Sequence, residues 1–204
     1  MKNTTRILRL LPGAAVLALA ACASDPVSYY TLTPAQGEAA GAQPFAGQPL
    51  IEVLAVNVPP QIDLPQLVVR TGAGQVRSLD GHRWVGPLPD EFRGALSQAL
   101  SARLGVPAVQ GLRAQADAPV WRILVDVQRF ETVAGESVEL DAVWRARLAP
   151  DGLATPVCRS RLRHGVGPGT AAAVQGHQQN IQALAGAIAQ ILAGPPGSRP
   201  RCPD

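Results

Sequence analysis

Lysine is almost missing from this 204-residue chain, with Lys2 the only one, and histidine and cysteine are scarce at three each. The histidines are His82, His164 and His177, and no two stand in a His-x-x-x-His spacing. A zinc-hydrolase centre therefore has no support, and each histidine reads as structural or surface. Gly72-Ala73-Gly74 and Gly165-Val166-Gly167 look like phosphate loops, but neither continues into Gly-Lys-Ser/Thr, so both read as turns. Ser97 and Ser101 lack a nucleophile-elbow context. Asp90-Glu91 is a pair of acids, but a helix N-terminus explains it, because carboxylates favour the positive end of the helix dipole. No catalytic residue, metal ligand or cofactor is called for. No internal repeat is present.

Long apolar runs are also missing. Beyond the first 21 residues none reaches the ~18–20 residues of a spanning helix. The formal charge of +3 comes from 18 basic and 15 acidic residues. Three of the basic residues, Lys2, Arg6 and Arg9, lie in those 21 residues, where there is no acid. Without that segment the chain is neutral and has no electrostatic footprint for nucleic acid. A hydrophobic content of 47% is that of a folded protein. The remaining roughly 183 residues suit one domain, which would bury about 70% of its unfolded surface.

What is present begins with a leader. Lys2, Arg6 and Arg9 form a positive region, Leu10 to Ala20 a short apolar one, and small residues then precede a cysteine. About eleven apolar residues make roughly 17 Å of helix, too short to cross a bilayer. Leu19-Ala20-Ala21-Cys22 has the lipobox form of an apolar residue, two small ones and cysteine. The thiol of Cys22 is thus the expected site of acylation. At ~0.8 kcal/mol per buried CH₂, one acyl chain binds marginally and several anchor stably. Ala23 rather than Asp follows Cys22, which favours the outer membrane and its periplasmic face. The expected organisation is a signal peptide over 1–21, a lipidated tether over 22–28, one domain over 29–193 and a Pro-rich tail over 194–204.

Within the domain, 29–32 reads as a first strand and 50–58 as a buried one, stopped by Pro59-Pro60. Residues 67–70 and 75–79 read as a hairpin about Gly72 and Gly74, closed by a turn at Asp80-Gly81. The period then changes to that of a helix over 88–104, with Pro89, Asp90 and Glu91 in its first turn and Gly105 at its stop. Residues 120–164 alternate apolar and polar in three runs, which predicts an antiparallel meander. Setting Val125 opposite Trp144 also sets Trp121 opposite Leu148, and a one-residue slip would move all four off their shared face. A second helix is predicted over 170–193. The fold class is α+β: a mixed or antiparallel sheet with a C-terminal meander packed on two amphipathic helices.

Three features remain. Arg159, Arg161 and Arg163 could bind anionic headgroups, or form the charged outer face of an edge strand. Trp84 either anchors a partner or caps the core below the first helix; Tyr29 and Tyr30 join it as candidate partner contacts. With Cys22 acylated, Cys158 and Cys202 remain in an oxidising compartment, and a disulfide between them would tie down the tail. The competing reading makes Cys158 a small buried apolar residue.

Four places carry a resemblance to a known family. They are Cys22 followed by Tyr29-Tyr30-Thr31-Leu32, the proline-bounded Val58-Pro59-Pro60-Gln61-Ile62-Asp63-Leu64-Pro65-Gln66-Leu67-Val68, Arg83-Trp84-Val85-Gly86-Pro87-Leu88 before the first helix, and the order of the elements. Together these resemble the ABC-type transport auxiliary lipoproteins, the PqiC-like group. Leu64 and Gly86 depart from it, standing where members often carry a basic and an acidic residue. The resemblance implies a non-enzymatic periplasmic lipoprotein of the outer membrane. Its partners would be an MCE-domain protein and inner-membrane permease components, acting in lipid movement between membranes; self-association is left open. The alternative is an autonomous lipid-binding or chaperone lipoprotein with an apolar cavity between sheet and helices.

Overall fold

The computed structural model describes residues 26–35, 49–109, 118–150, 152–194 and 201–202. The leader, Cys22 and most of the tail lie outside them. Among the described residues seven strands form one sheet: β1 (Ser28–Tyr30), β2 (Leu50–Asn57), β3 (Gln66–Gly72), β4 (Gln75–Trp84), β5 (Val120–Val133), β6 (Ser137–Ala149) and β7 (Cys158–Gly165). The described residues also form two helices, α1 (Leu88–Leu104) and α2 (Thr170–Leu192). The strand order is β1-β4-β3-β5-β6-β7, and β2 lies beside β5. The sheet is mixed: β1 runs parallel to β4 and β2 parallel to β5, while β3–β4, β5–β6 and β6–β7 are antiparallel.

The meander has the predicted register. Val125 pairs with Trp144 and Trp121 with Leu148. Alternation decides this, because only that pairing puts the apolar residues of both strands on one side. Ile123, Val125, Val127, Leu140, Ala142, Trp144 and Ala146 are all buried there. Trp144 is fully enclosed and donates its indole N–H to the Ser160 hydroxyl at 3.0 Å.

Both helices cover that apolar face. Helix α1 packs on β2, α2 packs on β6 and β7, and the helices pack on each other. Helix α1 buries Leu88, Phe92, Ala95, Leu96, Ala99 and Leu100, the stripe expected from its period. It ends at Gly105, whose φ of 66° is the left-handed conformation that glycine adopts without penalty. The buried stripe of α2 runs from Ala173 and Val174 through Ile181 and Leu184 to Ile188. The sheet's other face is polar and laced with ion pairs: Arg122–Glu52, Arg129–Glu139, Arg159–Asp141 and Arg163–Glu136.

Two local expectations change. Asp80-Gly81 does not end the hairpin: β4 continues through it to Trp84. Gln66 pairs with Arg83 and Leu67 with Leu79, so Asp80, Gly81 and His82 are absorbed in a bulge between those pairings. The longer β4 then pairs with β1. The first strand is correspondingly shorter than 29–32. Beyond Tyr30 the chain turns inward, and Leu32 is fully buried in the core.

Candidate functional site

The candidate partner contacts meet where β1 joins the end of β4. Tyr29 lies opposite Arg83, and Tyr30 opposite Trp84. Strand alternation separates their fates. Trp84 faces the core at 6% exposure and meets Phe130 edge-on, with ring centroids 6.2 Å apart. Tyr30 packs partly buried against the same core, and its hydroxyl is 2.9 Å from His82 Nδ1. Tyr29 points the other way and is 63% exposed. Of the three, Tyr29 has its side chain free at the surface, while Trp84 caps the core.

A carboxylate holds this corner in place. Glu91, in the first turn of α1, accepts the Thr31 hydroxyl at 2.7 Å and the Leu32 backbone N–H at 3.0 Å. From the other helix, Gln178 Nε2 donates to the Thr31 carbonyl at 3.0 Å. The segment that leads out to Cys22 is therefore clasped by both helices and plugged by Leu32. In the sequence, the helix dipole alone accounts for Glu91. Its second role depends on a contact 59 residues away, which no local pattern signals.

The three arginines of β7 are tied up by acids. Arg159 makes a two-pronged contact with Asp141, at 2.8 and 2.6 Å, and Arg161 approaches the same carboxylate. The hydrogen bond from Arg159 holds the Asp141 carboxyl below the usual carboxylate range. Arg163 meets Glu136 and Glu139. This is the charged outer face of an edge strand, with little net charge left for a headgroup.

The third histidine is, with Ser137 and Asn180, among the most enclosed polar residues described. His177 on α2 is 2% exposed, stacks on Phe130 at 3.8 Å and has Nε2 2.8 Å from the Thr132 hydroxyl. Burial pushes its pKa down to about 3. A hydroxyl beside an imidazole resembles a nucleophile and base, but both side chains are buried in the core, Thr132 at 8% and His177 at 2% exposure. The adjoining cavity, lined by Ile62, Leu67, Val68, Trp84, Leu88, Phe130 and Thr132, has a volume of about 20 Å³. It holds about one water, where ligand pockets span roughly 300–1,000 Å³. This cavity takes no acyl chain. Among the described residues no group of three or more His, Cys, Asp or Glu side chains could hold a metal ion. His82 and His164 lie apart from His177, on β4 and β7.

Cys158 and Cys202 are joined by a disulfide, with Cα atoms 5.3 Å apart. Cys158 is also buried, at 2% exposure, so both readings of it describe the same residue. The tail can reach it because β7 is the last strand of the sheet.

The described residues form a single α+β domain, a mixed sheet covered on one face by two helices. The family model of the ABC-type transport auxiliary lipoprotein component matches residues 30–189, and the chain belongs to that family. The fold is shared with a crystal structure of an uncharacterized protein, at 19% identity and a TM-score of 0.61, covering 81% of this chain and 98% of that one. It is shared also with a Xanthomonas campestris protein, at 16% identity and a TM-score of 0.57, covering 81% and 95%. No curated protein matches significantly.

Proposed function

We propose that this chain is a non-enzymatic docking subunit of an MCE-type intermembrane lipid transport system, held at the periplasmic face of the outer membrane by acyl chains on Cys22. Family membership over residues 30–189 carries this reading. Leu19-Ala20-Ala21-Cys22 and the following Ala23 supply the anchor and its address. The clasped segment at Thr31 and Leu32 is what such a subunit needs. It fixes the point at which the chain from Cys22 enters the folded domain. The mechanism is positional: the anchor fixes the domain, and the domain's surface fixes the end of the partner that spans the periplasm.

The test is affinity purification of the full chain from detergent-solubilised envelopes, followed by identification of what comes with it. An MCE-domain protein and permease components are expected. Stoichiometric lipid bound to the Cys22→Ser chain, with no MCE-domain protein recovered, would instead establish a carrier.

A further inference from the structure

Four of the large apolar side chains left exposed by this fold gather at one corner. Val27 is 39% exposed, Tyr29 63%, Leu64 40% and Val85 64%. They come from three segments far apart in sequence. Tyr29 of β1 pairs with Arg83 of β4, which pairs in turn with Gln66 of β3. Tyr30 and Trp84 pack toward the core, so Tyr29 and Arg83 project from the opposite face of the sheet. Val27 lies two residues before Tyr29, and Val85 lies two after Arg83. The Val85 N–H donates to the Tyr30 carbonyl at 2.8 Å, which keeps it beside β1. Leu64 sits two residues before Gln66. Arg83 stands amid this cluster with no ion pair among the described residues; its buried Nε–H finds no acceptor among them, so its terminal Nη groups are the ones left for an anion outside the fold.

We infer that this corner is a membrane-contact surface, on which Val27, Tyr29, Leu64 and Val85 lie against the headgroup region and Arg83 meets a lipid phosphate. The inference rests on the reading that Cys22 carries the acyl anchor. Val27 is five residues beyond Cys22, and five residues reach at most about 18 Å even when fully extended. The corner is therefore within one short tether of the bilayer. A folded domain, about 30 Å across, does not fit beneath it. The chemistry agrees with the distance. Tyrosine concentrates at membrane–water interfaces. Arginine lays its stem along apolar surface and turns its guanidinium to phosphate, which it grips with two parallel hydrogen bonds. The contact gives the anchored domain one orientation, and it leaves the far end of β4 directed away from the lipid.

The test uses the mature lipidated chain in vesicles of phosphatidylethanolamine and phosphatidylglycerol that carry a nitroxide-labelled lipid as quencher. A fluorophore is attached through Val85→Cys, and in a separate protein through Val76→Cys. Val76 is exposed to a similar degree, 59% against 64%, but stands at the opposite end of β4. Emission is expected to be lost at position 85 and kept at position 76. Adding Val27→Ser and Tyr29→Ser, both at exposed positions, should restore emission at 85 while the protein still floats with the vesicles. Flotation with full emission at both positions would overturn the contact and leave the anchor standing. Quenching at 85 that survives the two serine substitutions would also overturn it, because the tether alone would then lay the corner down. Loss of flotation in the unsubstituted chain would overturn the anchor and the contact together.

Discussion

Nothing separates the backbone of Gly176 on α2 from Val138 on β6: a Cβ built at Gly176 would lie 2.7 Å from Val138 Cγ2 and 2.5 Å from Val166 Cγ1. Alanine normally favours a helix interior over glycine by about 0.8–1 kcal/mol. Here the close approach reverses the sign, since the buried Val138 and the half-buried Val166 must shift to admit a methyl group. Gly176→Ala is expected to destabilise the domain by roughly 1–3 kcal/mol, as overpacking does. Gly186 of the same helix is the control. Its Cβ would meet Arg103 Cζ at 3.5 Å, an ordinary contact with a flexible side chain, so Gly186→Ala should not destabilise. Urea unfolding of both variants decides the point.

Trp144 sits at the centre of the meander, 1% exposed. Trp144→Ala should cost about 3–5 kcal/mol, as truncation of large core aromatics does. Part of the loss is the Ser160 hydroxyl, whose 3.0 Å bond to the indole N–H has no replacement. Trp144→Phe keeps most of the volume and should fall between the two. Chemical denaturation midpoints order the three proteins.

His177 makes stability depend on pH in a defined window. Its pKa falls from 6.5 to about 3 on folding. Between those values the unfolded chain binds a proton that the folded chain does not. The contribution of the neutral, buried imidazole is therefore complete above pH 6.5 and is lost as pH falls toward 3. The slope is about 1.4 kcal/mol per pH unit. Asp141 acts in the same direction but in a lower window, because its depressed pKa matters only below the ordinary 3.8. His177→Gln should flatten the dependence between pH 6.5 and 4. Unfolding free energies measured across that range would expose an unchanged slope, which would contradict the assignment.

The Cys158–Cys202 bridge spans 44 residues of sequence. Closing a loop of that length removes unfolded-state entropy equivalent to about 4 kcal/mol in the chain-entropy model. Cys202→Ser should lower stability by up to about that amount. Reductant should have the same effect on the parent chain and none on the variant. Intact mass after alkylation of periplasm-expressed protein should show no free thiol from this pair.

Cys22→Ser should abolish acyl labelling and move the domain from the membrane to the soluble fraction. Its thermal unfolding should be unchanged, because Leu32, Glu91 and Gln178 hold the domain's N-terminal segment independently of the lipid. Retention in membranes after this substitution would mean that something other than the acyl chains binds them.

Wherever structure follows a local period, the amino-acid order was sufficient. Helix α1 could be read as 88–104 because a 3.6-residue stripe is bracketed by Pro89 with two acids and by Gly105, and its observed span is Leu88–Leu104. The register of β5 on β6 was legible because alternation leaves one pairing that puts Val125 and Trp144 on a common face. The lipobox form of Leu19-Ala20-Ala21-Cys22 is likewise a local pattern, four consecutive residues long. Tertiary structure alone decided which distant strands pair. Nothing near Tyr29 indicates that it will lie parallel to Arg83, and nothing near Leu50 indicates Val120. A strand's face is set by its own alternation, but its neighbour is chosen by the packing of the whole sheet. The bulge at Asp80-Gly81, the clasp of Glu91 on Leu32, and the burial of His177 against Phe130 all follow from those long-range choices. The same holds for the corner of Val27, Tyr29, Leu64 and Val85. No window of sequence contains it, because it exists only once three strands have met.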